Sequence, residues 1–157
     1  MKINHHQKEI SRLLNYQFKS NRLLEEALTH SSARKSSKAN NERLEFLGDR
    51  VLGLIIAEEL LRLNPNSTEG QIATYYNYLV KKETCALIAK EIGLENLLTL
   101  GKSVKRTSSR QKDKILGNAV EALIAALFLD AGFKTSKEIV LKAVSYTHLT
   151  LPTKRSV

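Results

Sequence analysis

Three carboxylates stand at i, i+3 and i+7 in the stretch NERLEFLGD, residues 41–49: Glu42, Glu45 and Asp49. On a helix of 3.6 residues per turn they fall on one face, within roughly 60° of one another. Like charges on one face destabilise a helix unless basic partners or a bound cation compensate, and hard carboxylate oxygens are what magnesium takes as ligands. Two readings stay open: a metal-binding face, or a solvated acidic face partnered by Arg43 and Arg50. Asn118 and Glu121 form a second group in KILGNAVEALIAALFLDAGF, residues 114–133, three apart and therefore facing the same way. With the two helices side by side, Glu45, Asp49, Asn118 and Glu121 could converge on one cation, leaving positions for water and a phosphate oxygen; that is phosphodiesterase chemistry. Gly48 and Gly117 lie among these residues. A helix-interior glycine costs about 1 kcal/mol against alanine, which suggests close helix packing at both points.

The elements that must position these groups read as helices. Apolar residues recur at helical spacing in at least five segments, and no strict alternation persists long enough for a sheet, so the expected fold class is all-α. Ile10, Leu13 and Leu14 mark a short first helix; Asn21 is placed to cap a second, with Leu23, Leu24, Ala27 and Leu28 as its stripe. Residues 41–63 form the longest predicted helix, stopped by Asn64-Pro65. Its second half is apolar nearly all round, which predicts a central helix enclosed by others. Ser67 or Thr68 caps the next, packing through Ile72, Tyr75, Tyr76, Leu79 and Val80, and the tyrosines read as core or dimer packing. A helix over 82–92 ends at Gly93, another spans 115–129 before Asp130-Ala131-Gly132, and a shorter one begins near Thr135. Two basic loops are expected between helices: residues 31–40, with Lys35 and Lys38, and residues 101–114, with Lys105, Arg106 and Arg110. Residues 1–143 make one domain; residues 144–157, ending in SYTHLTLPTKRSV, lack acidic residues and amphipathic spacing and read as an unstructured or non-native tail.

Composition narrows the function classes. The 157 residues carry a net charge of +9, which points to a polyanionic partner, nucleic acid being the commonest. Lys154 and Arg155 of the tail account for little of that charge. The longest apolar stretches fall well short of the ~20 residues of a membrane span. The polar residues 1–8 lack a secretory signal, so a cytoplasmic location and no membrane partner are expected. A lone Cys85 cannot form an intramolecular disulfide, and four histidines without cysteine partners give no zinc spacing.

The segment NERLEFLGD closely resembles the signature of the ribonuclease III family. EALTHSSA (26–33), Glu69-Gly70, LVKKE (79–83), IAKEIGL (88–94), LGK (100–102) and EALIAALFLDAG (121–132) follow the same family's pattern in order, so the resemblance covers about residues 8–143. It implies a two-fold homodimer whose valley accepts an RNA duplex, each subunit cutting one strand to leave a 5′-phosphate and a 3′-hydroxyl. Carried over by residue, Glu45, Asn118 and Glu121 are metal ligands, Asp49 and Glu121 are catalytic, and Glu42 and Glu69 are supporting acids. The implied cofactor is magnesium, with manganese a possible substitute and no small-molecule cofactor. Two departures stand out. The family's usual Asp is Asn118 here, which keeps an oxygen ligand but removes a charge and predicts a higher magnesium requirement. Bacterial members commonly continue into a double-stranded RNA-binding domain, and this chain ends before one. The expected function is an endoribonuclease that processes structured rRNA and mRNA precursors; its rivals are a noncatalytic double-stranded-RNA-binding dimer and a scaffold that binds no RNA.

Overall fold

The computed structural model describes residues 5–35 and 39–145. Seven α-helices follow in order: α1 (His5–Leu14), α2 (Asn21–Ala27), α3 (Glu42–Leu63), α4 (Glu69–Val80), α5 (Lys82–Glu91), α6 (Ser109–Ala131) and α7 (Phe133–Ser145), with short 3-10 turns at Leu94–Asn96 and Lys102–Arg106. Among the described residues there is no strand, only one isolated parallel bridge between Thr29 and Thr99. No helix is long and apolar enough to cross a membrane, again among those residues.

Three helix starts follow from side-chain oxygens that meet the orphan N–H groups there. Ser20, rather than the expected Asn21, caps α2 by accepting from Leu23 N at 3.2 Å. Thr68 and Gln71 exchange two hydrogen bonds in a capping box at α4. Ser108 accepts from Gln111 N at 3.3 Å and starts α6 at Ser109. That start corrects the expected loop over 101–114: Arg110, Lys112 and Lys114 stand on helical turns, where exposed charged residues carry no apolar periodicity to betray them. At the other ends, Gly93 (φ 72°) and Gly132 (φ 85°) adopt the positive φ that favours glycine, as their stop signals predict. Helix α7 begins at Phe133 and runs through the buried Val144 to Ser145, slightly past the expected tail boundary; residues 146–157 lie outside the described residues.

The enclosed helix is α6. From Ile115 to Leu127 every residue except Asn118 is buried, with α3 and α5 as its main neighbours and α2 and α7 adding cover. Side chains such as Ile55 and Ile56 of α3 and Leu127 of α6 are almost completely buried, each stabilising the fold by about 1.5–3 kcal/mol relative to exposure. The expectation that α3 would be enclosed is therefore corrected. Its inner face is covered by α4, α6 and α7, but Phe46, Leu54 and Leu61 are about three-fifths exposed. Its partner α4 packs through the five residues the sequence indicates: Leu79 is buried, and Ile72, Tyr75, Tyr76 and Val80 are partly so.

A clasp fixes the N-terminal helices to the far end of α6. Asp130 accepts from the Tyr16 hydroxyl at 2.7 Å, from Lys19 N at 2.8 Å and from Ser20 N at 3.0 Å. Burial, reinforced by Asp130, pushes the Tyr16 phenol up to about 12.

Candidate functional site

Gly48 sets the spacing of the site. A Cβ there would stand 1.7 Å from the carbonyl oxygen of Glu121, so only glycine lets α3 rest against the α6 backbone at that level. Contact at Gly48 carries its neighbours Glu45 and Asp49 to the level of Glu121, whose side chain is 1% exposed. Gly117 does the same for α5: a Cβ there would come 2.8 Å from Lys82 O and 3.3 Å from Lys82 Cδ. Lys82 opens α5 directly after α4, across an extended Lys81, with Thr84 Oγ1 donating to Tyr78 O at 2.6 Å.

The Lys82 ammonium consequently sits between two helices' carboxylates, 2.8 Å from Glu121 Oε1 and 3.3 Å from Glu45 Oε1. Glu121 Oε1 is thus ion-paired, while Glu121 Oε2 and Asn118 Oδ1 are buried without a hydrogen-bond partner. Unpaired buried oxygens of this kind are costly. Burial pushes the Glu121 carboxyl up, Asp49 and Glu45 add to the rise, and Lys82 opposes it. For Lys82, burial alone would act downward, but its contact with Glu121 and the charges of Glu121 and Glu45 hold its ammonium above the ordinary lysine value. Cys85, pushed to about 12 by burial and by the charge of Glu121, stays a thiol and offers no nucleophile.

The other expected residues divide. Asp49 is 53% exposed at the open side, paired with Arg50 at 3.3 Å, while its charge still reaches Glu121. Glu42 is exposed in the first turn of α3, where its charge and that of Glu45 act on His30, whose pKa burial lowers. Glu69 is exposed at the start of α4, and no described contact joins it to the cluster. Among the described residues no three of His, Cys, Asp and Glu stand close enough together to hold a metal ion jointly. The position between Glu45 and Glu121 belongs to Lys82, a residue that the sequence reading passed over. Its signal was slight, one lysine of a Lys81-Lys82 pair, because its reach to Glu121 depends on a turn between helices that no glycine or proline marks.

Lys35, Arg106 and Arg110 are exposed, the side chain of Lys105 is not described, and Lys38 lies outside the described residues. The two basic segments meet at their roots. His30 N donates to Thr99 O at 3.0 Å, Thr99 N to Leu28 O at 2.8 Å, and Gly101 N to Ser32 Oγ at 2.8 Å. Buried Asn40 and Asn41 tie the first segment to α3: Asn40 accepts from Glu42 N and donates to Arg34 O, and Asn41 N donates to Thr29 O.

A family model described as Ribonuclease-III-like matches residues 20–147. Ribonuclease 3 of Dinoroseobacter shibae is 50% identical over 138 residues, which are 86% of this chain and 60% of that protein. Ribonuclease 3 of Cereibacter sphaeroides strain ATCC 17029 is 45% identical over 142 residues, 90% of this chain and 62% of that one. The chain thus spans about three-fifths of the length of these curated relatives. The solved nuclease domain of ribonuclease III from Campylobacter jejuni matches with a TM-score of 0.85 at 36% identity, covering 90% of this chain and 97% of that one. A Giardia Dicer, at 24% identity and a TM-score of 0.69, shares the fold over 88% of this chain. With that fold, these identities and a signature whose glycine seats α3 on α6 beside a buried glutamate, the chain belongs to the ribonuclease III family.

Proposed function

We propose that this chain is the catalytic part of a magnesium-dependent endoribonuclease that hydrolyses double-stranded RNA to 5′-phosphate and 3′-hydroxyl ends, with structured rRNA and mRNA precursors as substrates. The observation that carries the reading is the buried Glu121 beside Glu45, with Glu121 Oε2 and Asn118 Oδ1 lacking hydrogen-bond partners. Carboxylate and amide oxygens are hard donors and fit magnesium, with manganese as a substitute. Glu45, Asn118 and Glu121 would hold the ion. When bound, it supplies Lewis-acid charge at the scissile phosphate and makes water a stronger acid.

The chain's own residues do the rest. Glu121, enclosed by α3 and α5, keeps one face of the site free of bulk water, and the low local dielectric strengthens each charge interaction there. Asp49, open to solvent on the adjoining turn of α3, can take up a proton beside the substrate. Glu42, exposed in the first turn of α3, would contribute negative potential beside Glu45, and Glu69, exposed at the start of α4, would act as a further supporting acid. Lys35, Arg106 and Arg110, together with Lys38 and Lys105 of the same segments, attract the phosphate backbone without reading sequence.

A homodimer accords with the uncovered Phe46, Leu54 and Leu61 of α3, since an apolar face of that kind is buried against a self-complementary copy. The Campylobacter jejuni nuclease domain is described as having a region involved in dimer formation. The test is cleavage of a labelled RNA duplex at low salt across a magnesium titration, comparing the chain with Glu121→Gln. Magnesium-dependent cutting abolished by the substitution supports the proposal; duplex binding without cutting at any magnesium concentration replaces it with a noncatalytic RNA-binding dimer.

A further inference from the structure

We propose that Lys82 is a resident counter-cation: its ammonium holds the position between Glu45 and Glu121 whenever the site carries no divalent ion, and an entering ion must displace it. The inference rests on the metal-site reading above and concerns one residue of this chain. Three observations carry it. The ammonium lies 2.8 Å from Glu121 Oε1 and 3.3 Å from Glu45 Oε1, spanning two helices rather than pairing with a sequence neighbour. Its placement is built into the backbone, because the missing Cβ of Gly117 makes room for both the carbonyl and the Cδ of Lys82. Finally, Glu121 has a nearly fully buried carboxylate whose Oε2 has no hydrogen-bond partner, so without Lys82 its charge would be buried and uncompensated.

Lysine suits a displaceable charge. It is a compact point charge on a flexible stem, unlike the rigid arginine fork, and 38% exposure of the side chain leaves the ammonium a way out to solvent. A divalent ion entering between Glu45 and Glu121 meets a like charge at contact distance, so Lys82 both stabilises the ion-free protein and lowers its affinity for the ion. Asn118 acts in the same direction, since it supplies an oxygen without a charge.

The test uses manganese as the probe, with binding followed by electron paramagnetic resonance and thermal stability followed with and without the ion. The variants of the full chain are Lys82→Met, Lys82→Gln and Lys82→Arg, with Glu121→Gln as the control for the site itself. Neutral variants are expected to melt lower than the parent without manganese, yet to bind it about tenfold more tightly, equivalent to ~1.4 kcal/mol, and to gain more in Tm on its addition. Lys82→Arg is expected to keep the ion-free Tm and gain no affinity. A lower Tm with unchanged or weaker manganese binding in both neutral variants overturns the proposal and leaves Lys82 a structural ion pair. Equal binding by the parent and Glu121→Gln would instead remove the metal site itself, and the proposal with it.

Discussion

Gly48→Ala adds one methyl group where α3 rests on the α6 backbone. The new Cβ would stand 1.7 Å from the Glu121 carbonyl oxygen and 2.4 Å from its carbon. Both are backbone atoms of an enclosed helix, so no side chain can swing aside. Separation to the 3.0 Å below which real Cβ contacts essentially never occur requires α3 and α6 to part by about 1.3 Å. Overpacking of this kind costs about 1–3 kcal/mol, with backbone obstruction at the upper end or beyond, while alanine's helix propensity returns about 1 kcal/mol. The net expectation is a loss of about 2 kcal/mol or more, together with a displaced Glu45–Lys82–Glu121 cluster and impaired cleavage. Gly70→Ala is the control, because a Cβ there meets nothing within 4 Å and helix propensity alone should hold or raise stability. Urea unfolding of the two variants and the parent, with midpoints compared at unchanged slope, reads the difference directly. Gly48→Ala with the parent's stability would refute the claim that this glycine sets the α3–α6 spacing.

Three further outcomes are expected. Tyr16→Phe removes one of three donors to Asp130 and should cost about 1–2 kcal/mol in urea unfolding at neutral pH. Because the phenol's pKa is raised in the folded state, its contribution is present below its ordinary value of 10.0 and is lost as pH rises toward about 12; the variant should lack that alkaline loss. Burial would raise the Asp130 carboxyl, but the Tyr16 hydroxyl and the backbone N–H groups of Lys19 and Ser20 hold it below the ordinary 3.8, so the parent loses this share of stability as pH falls below that value, and Tyr16→Phe should reduce that acid loss. Asn118→Asp should reduce the magnesium needed for half-maximal cleavage by about tenfold, as a carboxylate replaces a neutral amide oxygen, and an unchanged requirement would show that Asn118 is not a ligand. Leu54→Glu with Leu61→Glu should convert a sedimenting dimer to monomer while shifting monomer stability by no more than about 0.5 kcal/mol per site, both side chains being mostly exposed within one chain.

Much of the architecture was legible because it is local. The 3.6-residue pattern of α3, the packing face of α4, and the stops at Asn64-Pro65, Gly93 and Gly132 each depend on a few adjacent residues. Gly48 and Gly117 announced close packing before their neighbours could be named. What stayed hidden depends on distant partners. The first turns of α6 are polar because they face solvent, so Ser109–Lys114 read as loop. Both α3 and α6 are apolar on several sides, and which one the other helices enclose is decided by topology. Asn40 reads as a loop residue and Asn41 as the first residue of the long helix, yet both are buried because their amides hold the segment before α3 in place. Lys82 gains its place only after α5 has docked on α6 at Gly117.

The join between Thr29 and Thr99, with Gly101 N on Ser32, bears on how RNA would be gripped. Two basic segments about seventy residues apart in sequence share one root there. A Cβ at Gly101 would fall 2.3 Å from Ser32 O, so any side chain at 101 would force the two segments apart at that root. The root joining these segments is therefore built from Thr29, Ser32, Thr99 and Gly101, none of which carries a charge, while Arg110 takes its place relative to Glu121 from α6 itself.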